Sequence, residues 1–178
     1  MTQGYTVNVT GADDAPTLAA AVAGSVAEVA QSSSTTDLGL AGTLVGADVD
    51  GETLTYGITG GTVSAGFSTL VGAFGTLRVN TATGAYVYTK NAAAIEALDA
   101  GESGRDEFTF TVSDGDGSAV TQGYSVNVTG ADDAPTLAAV VAGSVAEVAQ
   151  SSSTTDLGLS GTLVGADVDG ETLTYGIT

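Results

Sequence analysis

"DEFTFTVSDGDGSAVTQGYSVNVTG", residues 106 to 130, decides the fold. Phe108, Phe110 and Val112 recur at every second position, the period that sets side chains on one face of a β-strand. After the turn "SDGDGS" the alternation returns with Tyr124, Val126 and Val128, so the stretch predicts a hairpin with one aromatic and valine face. "GTLRVNTATGAYVYTKN" predicts a second hairpin. Leu77 and Val79 precede its turn, Tyr86 and Tyr88 follow it, and Gly84 supplies the backbone freedom between them. Shorter strands are expected near "TLAAAVAG", "GTLVGADVD", "TLTYGIT" and "GTVSAGF". The total of about seven strands per period, with glycine-rich turns between them, is the pattern of an all-β, antiparallel sandwich. "NAAAIEALDAG" alone resembles a helix, a short one ended by glycine.

The hairpin is embedded in a repeat. Residues 2–59 return as 121–178, an offset of 119 residues, with three substitutions: Thr6 to Ser125, Ala21 to Val140 and Ala41 to Ser160. Such a period is far longer than the ~20–50 residues of a solenoid unit, so each period is expected to be an independent domain in a tandem array. "VNVT" closes one domain, "GADDAP" turns, and "TLAA" opens the next, because proline blocks ladder pairing and restricts the residue before it. The expected organisation is the last strand of a preceding repeat at 1–11, a complete repeat at 12–130 and the first half of another at 131–178. Residues 60–120 occur once and their complement twice, so the half repeat is expected to fray, to swap with the first copy or to pair with another chain.

Composition narrows the chemistry. Hydrophobic residues make up 43% of the 178, enough for a core in each domain. Twenty-one acidic residues stand against three basic ones, Arg78, Lys90 and Arg105, for a net charge of −18. That surface repels phosphate backbones and anionic lipid, so no nucleic-acid partner and no membrane insertion are expected. Divalent cations are natural counterparts of clustered carboxylates, while solubility or salt tolerance is the alternative use of such a surface. With no cysteine there is neither a disulfide nor a thiolate metal site. With no histidine the commonest general base is missing, and no nucleophile elbow or phosphate loop appears, so no catalytic set is expected and the chain is not read as an enzyme. No apolar run approaches the length of a spanning helix, and "MTQGYTVNVT" lacks the basic and apolar regions of a signal peptide.

The acids gather at predicted turns and strand ends: Asp13 and Asp14, Glu28, Asp48 and Asp50, Asp99 and Glu102, Asp114 and Asp116. Aspartates two apart, as in "DVD" and "DGD", can face one ion if the loop turns between them. Two local calcium motifs fail. An EF-hand loop needs glycine at its sixth place and glutamate at its twelfth; from Asp114 these hold Ala119 and Ser125, and from Asp48 they hold Thr53 and Thr59. The paired-glycine nonapeptide is absent as well. Any site is therefore assembled from distant segments. Glu52 and Asp116 are read as solvated, and Glu96, Asp106 and Glu107 as surface charges. The alternating tyrosines and phenylalanines are read as core, and "NVT" at Asn8 and Asn127 as strand sequence, not a glycosylation acceptor.

The order "VAEVA", "ADVDGETLTY", "LDAGESGRDEFTFTVSDGDG", "VNVTGADDAP" resembles the VCBS repeat of large bacterial RTX-type adhesins, over essentially the whole period. These modules are similar to cadherin repeats, in which calcium sits between consecutive domains. The resemblance implies that the seam at Asp132 and Asp133 draws on Glu28, Asp99 and Glu102 below, with Asp167 and Asp169 above. The seam at Asp13 and Asp14 would draw on Asp48, Asp50 and Asp114. "LDAGE" stands where cadherins have a tighter spacing, and "GADDAP" carries fewer linker ligands than theirs. The implied function is a calcium-stiffened extender of a secreted, cell-surface adhesin that supports adhesion and biofilm, with neighbouring repeats as partners and homophilic or strand-swapped association possible. Alternatives are a carbohydrate- or protein-binding sandwich and a self-assembling extracellular fibre subunit.

Overall fold

The computed structural model describes residues 1–117 and 119–177; Ser118, at the end of the predicted turn, and Thr178, the last residue of the second repeat copy, lie outside the described residues. The opening hairpin forms as expected: Ser103–Ser113 pairs antiparallel with Ala119–Thr129 along its length, placing Phe108 opposite Tyr124 and Val112 opposite Val120. In chain order the strands are β1 (Thr17–Leu18), β2 (Gly24–Val29), β3 (Ser32–Leu38), β4 (Ala41–Thr43), β5 (Gly46–Ala47), β6 (Thr55–Ile58), β7 (Thr62–Ser64), β8 (Phe67–Val71), β9 (Gly75–Asn80) and β10 (Ala85–Lys90). Helix α1 (Ala92–Ile95) follows, then β11 (Ser103–Ser113) and β12 (Ala119–Thr129). The predicted hairpin at 75–90 and the short helix are both present.

Two five-stranded sheets face each other, one ordered β4-β10-β9-β8-β7 and the other β3-β2-β12-β11-β6, with β1 and β5 paired beside them. One expectation changes. Twelve strands among the described residues, not seven, build the repeat, because "GSVAEV", "SSSTTDL" and "FSTLV" do not alternate large apolar with polar residues. The sheets are antiparallel as expected apart from one pair: β2 runs parallel to β12, with Val26 beside Val128.

That parallel pair orients the module. β2 and β12 both end at the side where the linker 130–135 leaves, whereas Asp13 at the start of the repeat lies with Asp114, which precedes β12. The chain therefore enters at one end and leaves at the other, separated by the 11 residues of β12, or ~36 Å at ~3.3 Å per residue.

The core lies between the sheets. Leu77, Val79, Phe110, Val112, Val126 and Val128 have no exposed surface. Tyr86, Phe110 and Tyr124 pack with ring centroids 5.1–5.4 Å apart. Tyr124 Oη donates to Gly39 O at 2.8 Å, so its polar end is satisfied inside the sandwich. At the rim Lys90 Nζ reaches Asp37 Oδ2 at 2.6 Å, joining the two sheets through a partly exposed ion pair.

Asp106 is not the surface charge that its sequence suggests. It is 4% exposed, on the same face of β11 as Phe108 and Phe110, and accepts three bonds. The donors are Ala73 N (2.7 Å), Phe74 N (3.1 Å) and Tyr88 Oη (2.7 Å), so this carboxylate pins the β8–β9 turn to the opposite sheet. A Cβ on Gly72 would lie 2.3 Å from its Oδ2, which is why the turn approaches there with glycine. Glu107 does face solvent and pairs with Arg105 at 3.1 Å.

The repeated segments behave differently in their two contexts. Residues 1–16 form no strand, and Tyr5, Val7 and Val9 are exposed, although the matching Tyr124, Val126 and Val128 are buried. After the linker come β13 (Thr136–Leu137), β14 (Ser144–Glu147), β15 (Thr154–Leu157) and β16 (Gly165–Ala166). They form two two-stranded sheets, β13-β16 and β14-β15, with Val140, Val141 and Leu157 exposed. Identical sequence yields a buried strand only inside the two-sheet sandwich, where β11 pairs with residues 119–129 and β12 pairs with β2.

Candidate metal centre

Carboxylates converge at both ends of the complete sandwich. At the entry end, Asp48 occupies a tight turn whose Oδ1 accepts the amides of Asp50 (2.9 Å), Gly51 (3.1 Å) and Glu52 (3.5 Å). Asp50 Oδ2 in turn accepts the amide of Asp14 at 2.8 Å, tying linker to turn. One ligand oxygen each from Asp13, Glu52 and Asp114 lie within 4.8 Å of one another, and so do oxygens of Asp48, Asp50 and Glu52. Glu52 belongs to both groups and is only partly exposed, with its Oε2 buried.

At the exit end two further groups form. Glu28, on the inward face of β2 with Val26, joins Glu96 and Asp133; Asp99 joins Asp132 and Asp169. In each group the ligand oxygens again lie within 4.8 Å of one another. Glu28 and Asp133 are buried, at 8% and 7% exposure. Main-chain donors hold them: Ala131 N donates to Glu28 Oε2 at 3.0 Å, Gln31 N donates to Asp133 Oδ1, and Asp133 N donates to Asp169 Oδ2 at 2.8 Å. Gln31 adopts φ +59° to present that amide from the β2–β3 turn. The bond from Asp133 to Asp169 repeats that from Asp14 to Asp50, as the 119-residue offset requires.

Electrostatics at both ends penalise the charged forms. Burial, then the charges of Glu96, Asp133 and Asp169, raise the Glu28 carboxyl against the lowering effect of the Ala131 amide. Glu52 is pushed up to about 7, first by sharing a hydrogen bond with Asp116, then by desolvation and by the charges of Asp116, Asp13 and Asp48. Asp13 is raised by desolvation and then by Asp114, Asp116, Asp50 and Asp48. Glu171 is raised chiefly by Asp99 and Asp167.

Six carboxylate oxygens are buried without a hydrogen-bond partner among the described residues: Glu28 Oε1, Asp48 Oδ2, Glu52 Oε2, Asp114 Oδ2, Asp167 Oδ2 and Asp169 Oδ1. All belong to residues at the two seams. A buried carboxylate oxygen without a donor is costly, and several aimed together are relieved by a hard cation with oxygen ligands. The donor set fits such an ion, with no nitrogen or sulfur ligand in it.

Of the residues singled out in the sequence, Asp13, Asp48, Asp50 and Asp114 come together at one end, and Glu28, Asp99, Asp132, Asp133 and Asp169 at the other. Asp167 adjoins the second set, with Oδ1 accepting the Glu171 amide at 3.3 Å. Asp14 contributes its amide rather than a grouped oxygen. Glu102 stands apart: it is exposed, and its Oε2 accepts the Asp99 amide at 3.3 Å. Sequence reasoning missed Glu52, which shares the i, i+2, i+4 spacing of Asp48 and Asp50. It also missed Glu96, a supposed surface charge for which the sequence carries no local signal.

A two-sheet sandwich with parallel first and last strands of one sheet, entered and left at opposite ends that both carry carboxylate groups, defines a cadherin-like module. Residues 13–130 match the bacterial cadherin-like domain, and the chain belongs to that family. No curated protein matches the chain. Cadherin-like domains typically serve as non-enzymatic structural modules and typically bind calcium, in keeping with the oxygen-only donor set.

Proposed function

We propose that the chain is an extender segment of a secreted bacterial surface adhesin, built of VCBS-type repeats whose linkers are stiffened by calcium. Residues 12–130 are the complete repeat in this reading, preceded by the last strand of one neighbour and followed by the first half of the next. The observation that carries it is the cluster of unpartnered, buried carboxylate oxygens at the seams, above all at the exit end. There Glu28 and Asp99 of one repeat face Asp132, Asp133 and Asp169 of the next.

The mechanism is electrostatic. Without a cation the acids of two repeats repel and the linker pivots. With one, charge from both sides is shared and the inter-repeat angle is held. Extracellular modules of this kind bind calcium at roughly 10⁻⁴–10⁻³ M. A free ion at a hundred times its dissociation constant stabilises the bound state by ~2.7 kcal/mol. Each repeat then adds ~36 Å to a stalk that presents a distal adhesive tip. No part of this function requires catalysis.

A carbohydrate-binding module would need an aromatic platform on its surface. The rings of Tyr86, Tyr88, Phe108, Phe110 and Tyr124 are instead buried against one another. The test is thermal melting and small-angle scattering of the 178-residue chain in millimolar calcium and in chelator. Calcium is expected to raise the melting temperature and reduce the spread of intraparticle distances. Unchanged melting and unchanged dimensions would remove the calcium strut.

A further inference from the structure

We propose that Glu96, at the end of helix α1, is a direct ligand of a buried divalent-cation position that it forms with Glu28 and Asp133, and that Glu102 is not. The inference rests on the calcium reading above and specifies which residues of the lower repeat hold the ion.

Three observations converge. One oxygen each of Glu28, Glu96 and Asp133 lie within 4.8 Å of one another. Glu28 is more than nine-tenths buried, and its Oε1 has no partner. Its other oxygen and Asp133 Oδ1 are oriented by main-chain amides, which align carboxylates without neutralising them. The three basic side chains are engaged elsewhere: Lys90 with Asp37, Arg105 with Glu107, and Arg78 over the Phe67 ring at 3.5 Å. Compensation for three converging carboxylates therefore comes from outside the chain, and an all-oxygen set selects a hard divalent ion.

Glu96 is placed by the core. Ile95, 1% exposed, anchors α1 in the sandwich, and Glu96 N donates to Ala92 O at 2.9 Å, fixing the residue that follows the anchor. Glu102 lies six residues on, exposed and turned to the Asp99 amide. The adjacent linker aspartates thus serve different positions: Asp133 faces Glu28 and Glu96, and Asp132 faces Asp99 and Asp169.

The test titrates calcium, and terbium by luminescence, into the full 178-residue chain, its Glu96→Gln variant and its Glu102→Gln variant. Glu96→Gln is expected to lose one bound ion or to weaken the tightest step by about tenfold or more, while Glu102→Gln stays within about twofold. Melting provides a signature that a surface charge would not: in chelator Glu96→Gln melts at or above the parent, because one of three repelling charges is gone, and in calcium it melts below it. Glu96→Asp, which keeps the charge but withdraws the oxygen by one methylene, is expected to weaken binding without the gain in chelator. Parent-like calcium binding by Glu96→Gln, or equal losses in both glutamine variants, overturns this inference and leaves the strut intact. Failure of the parent chain to bind calcium overturns both.

Discussion

Replacing Asp106 with alanine is expected to cost ~3–5 kcal/mol of folding stability. The carboxylate accepts from Ala73 N, Phe74 N and Tyr88 Oη, and the alanine variant strands all three donors. A donor left unsatisfied in a protein interior costs ~1–3 kcal/mol. The two amides sit in a partly solvated turn and belong at the low end of that range, whereas the Tyr88 hydroxyl is buried and belongs higher. Asp106→Asn is expected to lose about half as much: its amide oxygen still accepts, but its NH₂ faces a second donor. Urea unfolding in chelator reads both, and with a slope of ~1–3 kcal/mol/M the alanine midpoint should fall by ~1–5 M at unchanged slope. A double-mutant cycle with Tyr88→Phe isolates the hydroxyl, since Asp106→Ala should cost less once its donor has gone. A loss below ~1 kcal/mol for Asp106→Ala, or full additivity in the cycle, would refute the claim that this carboxylate holds the sheets together at the turn.

Phe110→Ala, which empties a fully buried position in the aromatic stack, is expected to cost ~3–5 kcal/mol by the same urea assay. Lys90→Met breaks a cross-sheet ion pair whose partners are each about one-third exposed, so its cost should stay within ~1 kcal/mol and shrink further in high salt. Stability in chelator should fall as pH rises. Glu52 ionises at about 7 in the folded chain against 4.5 unfolded, so its contribution is complete below 4.5 and lost as pH rises through 7; Glu28, Asp13 and Glu171 are shifted in the same direction. Calcium binding near neutral pH should therefore release protons. Calorimetry in two buffers of different ionisation enthalpy measures that release, and an apparent enthalpy independent of buffer would contradict it.

Much of this was legible in one dimension. Alternation at period two placed Phe108, Phe110, Val112, Tyr124, Val126 and Val128 on the buried face because strand geometry is local and its period is written in consecutive residues. The 119-residue repeat and the proline of "GADDAP" set the expected seams, and the lack of cysteine and histidine restricted any metal site to oxygen donors. The same alternation could have revealed Asp106, which has the parity of Phe108; its charge masked it, since a buried carboxylate is rare unless donors await it, and those donors lie 18, 32 and 33 residues away.

Tertiary structure alone decided which acids come together. Glu28 and Asp133 are 105 residues apart in the chain and meet because β2 runs parallel to β12. Glu96 joins them because Ile95 is held in the core, while Glu102, closer to the expected motif, turns away to an amide. Convergence of this kind depends on sheet order and strand direction, which no local pattern encodes. The fate of identical sequence was settled at the same level: "VNVT" is a buried strand at residues 126–129 and exposed at 7–10, because a strand exists only where a neighbour completes its ladder and covers its apolar face.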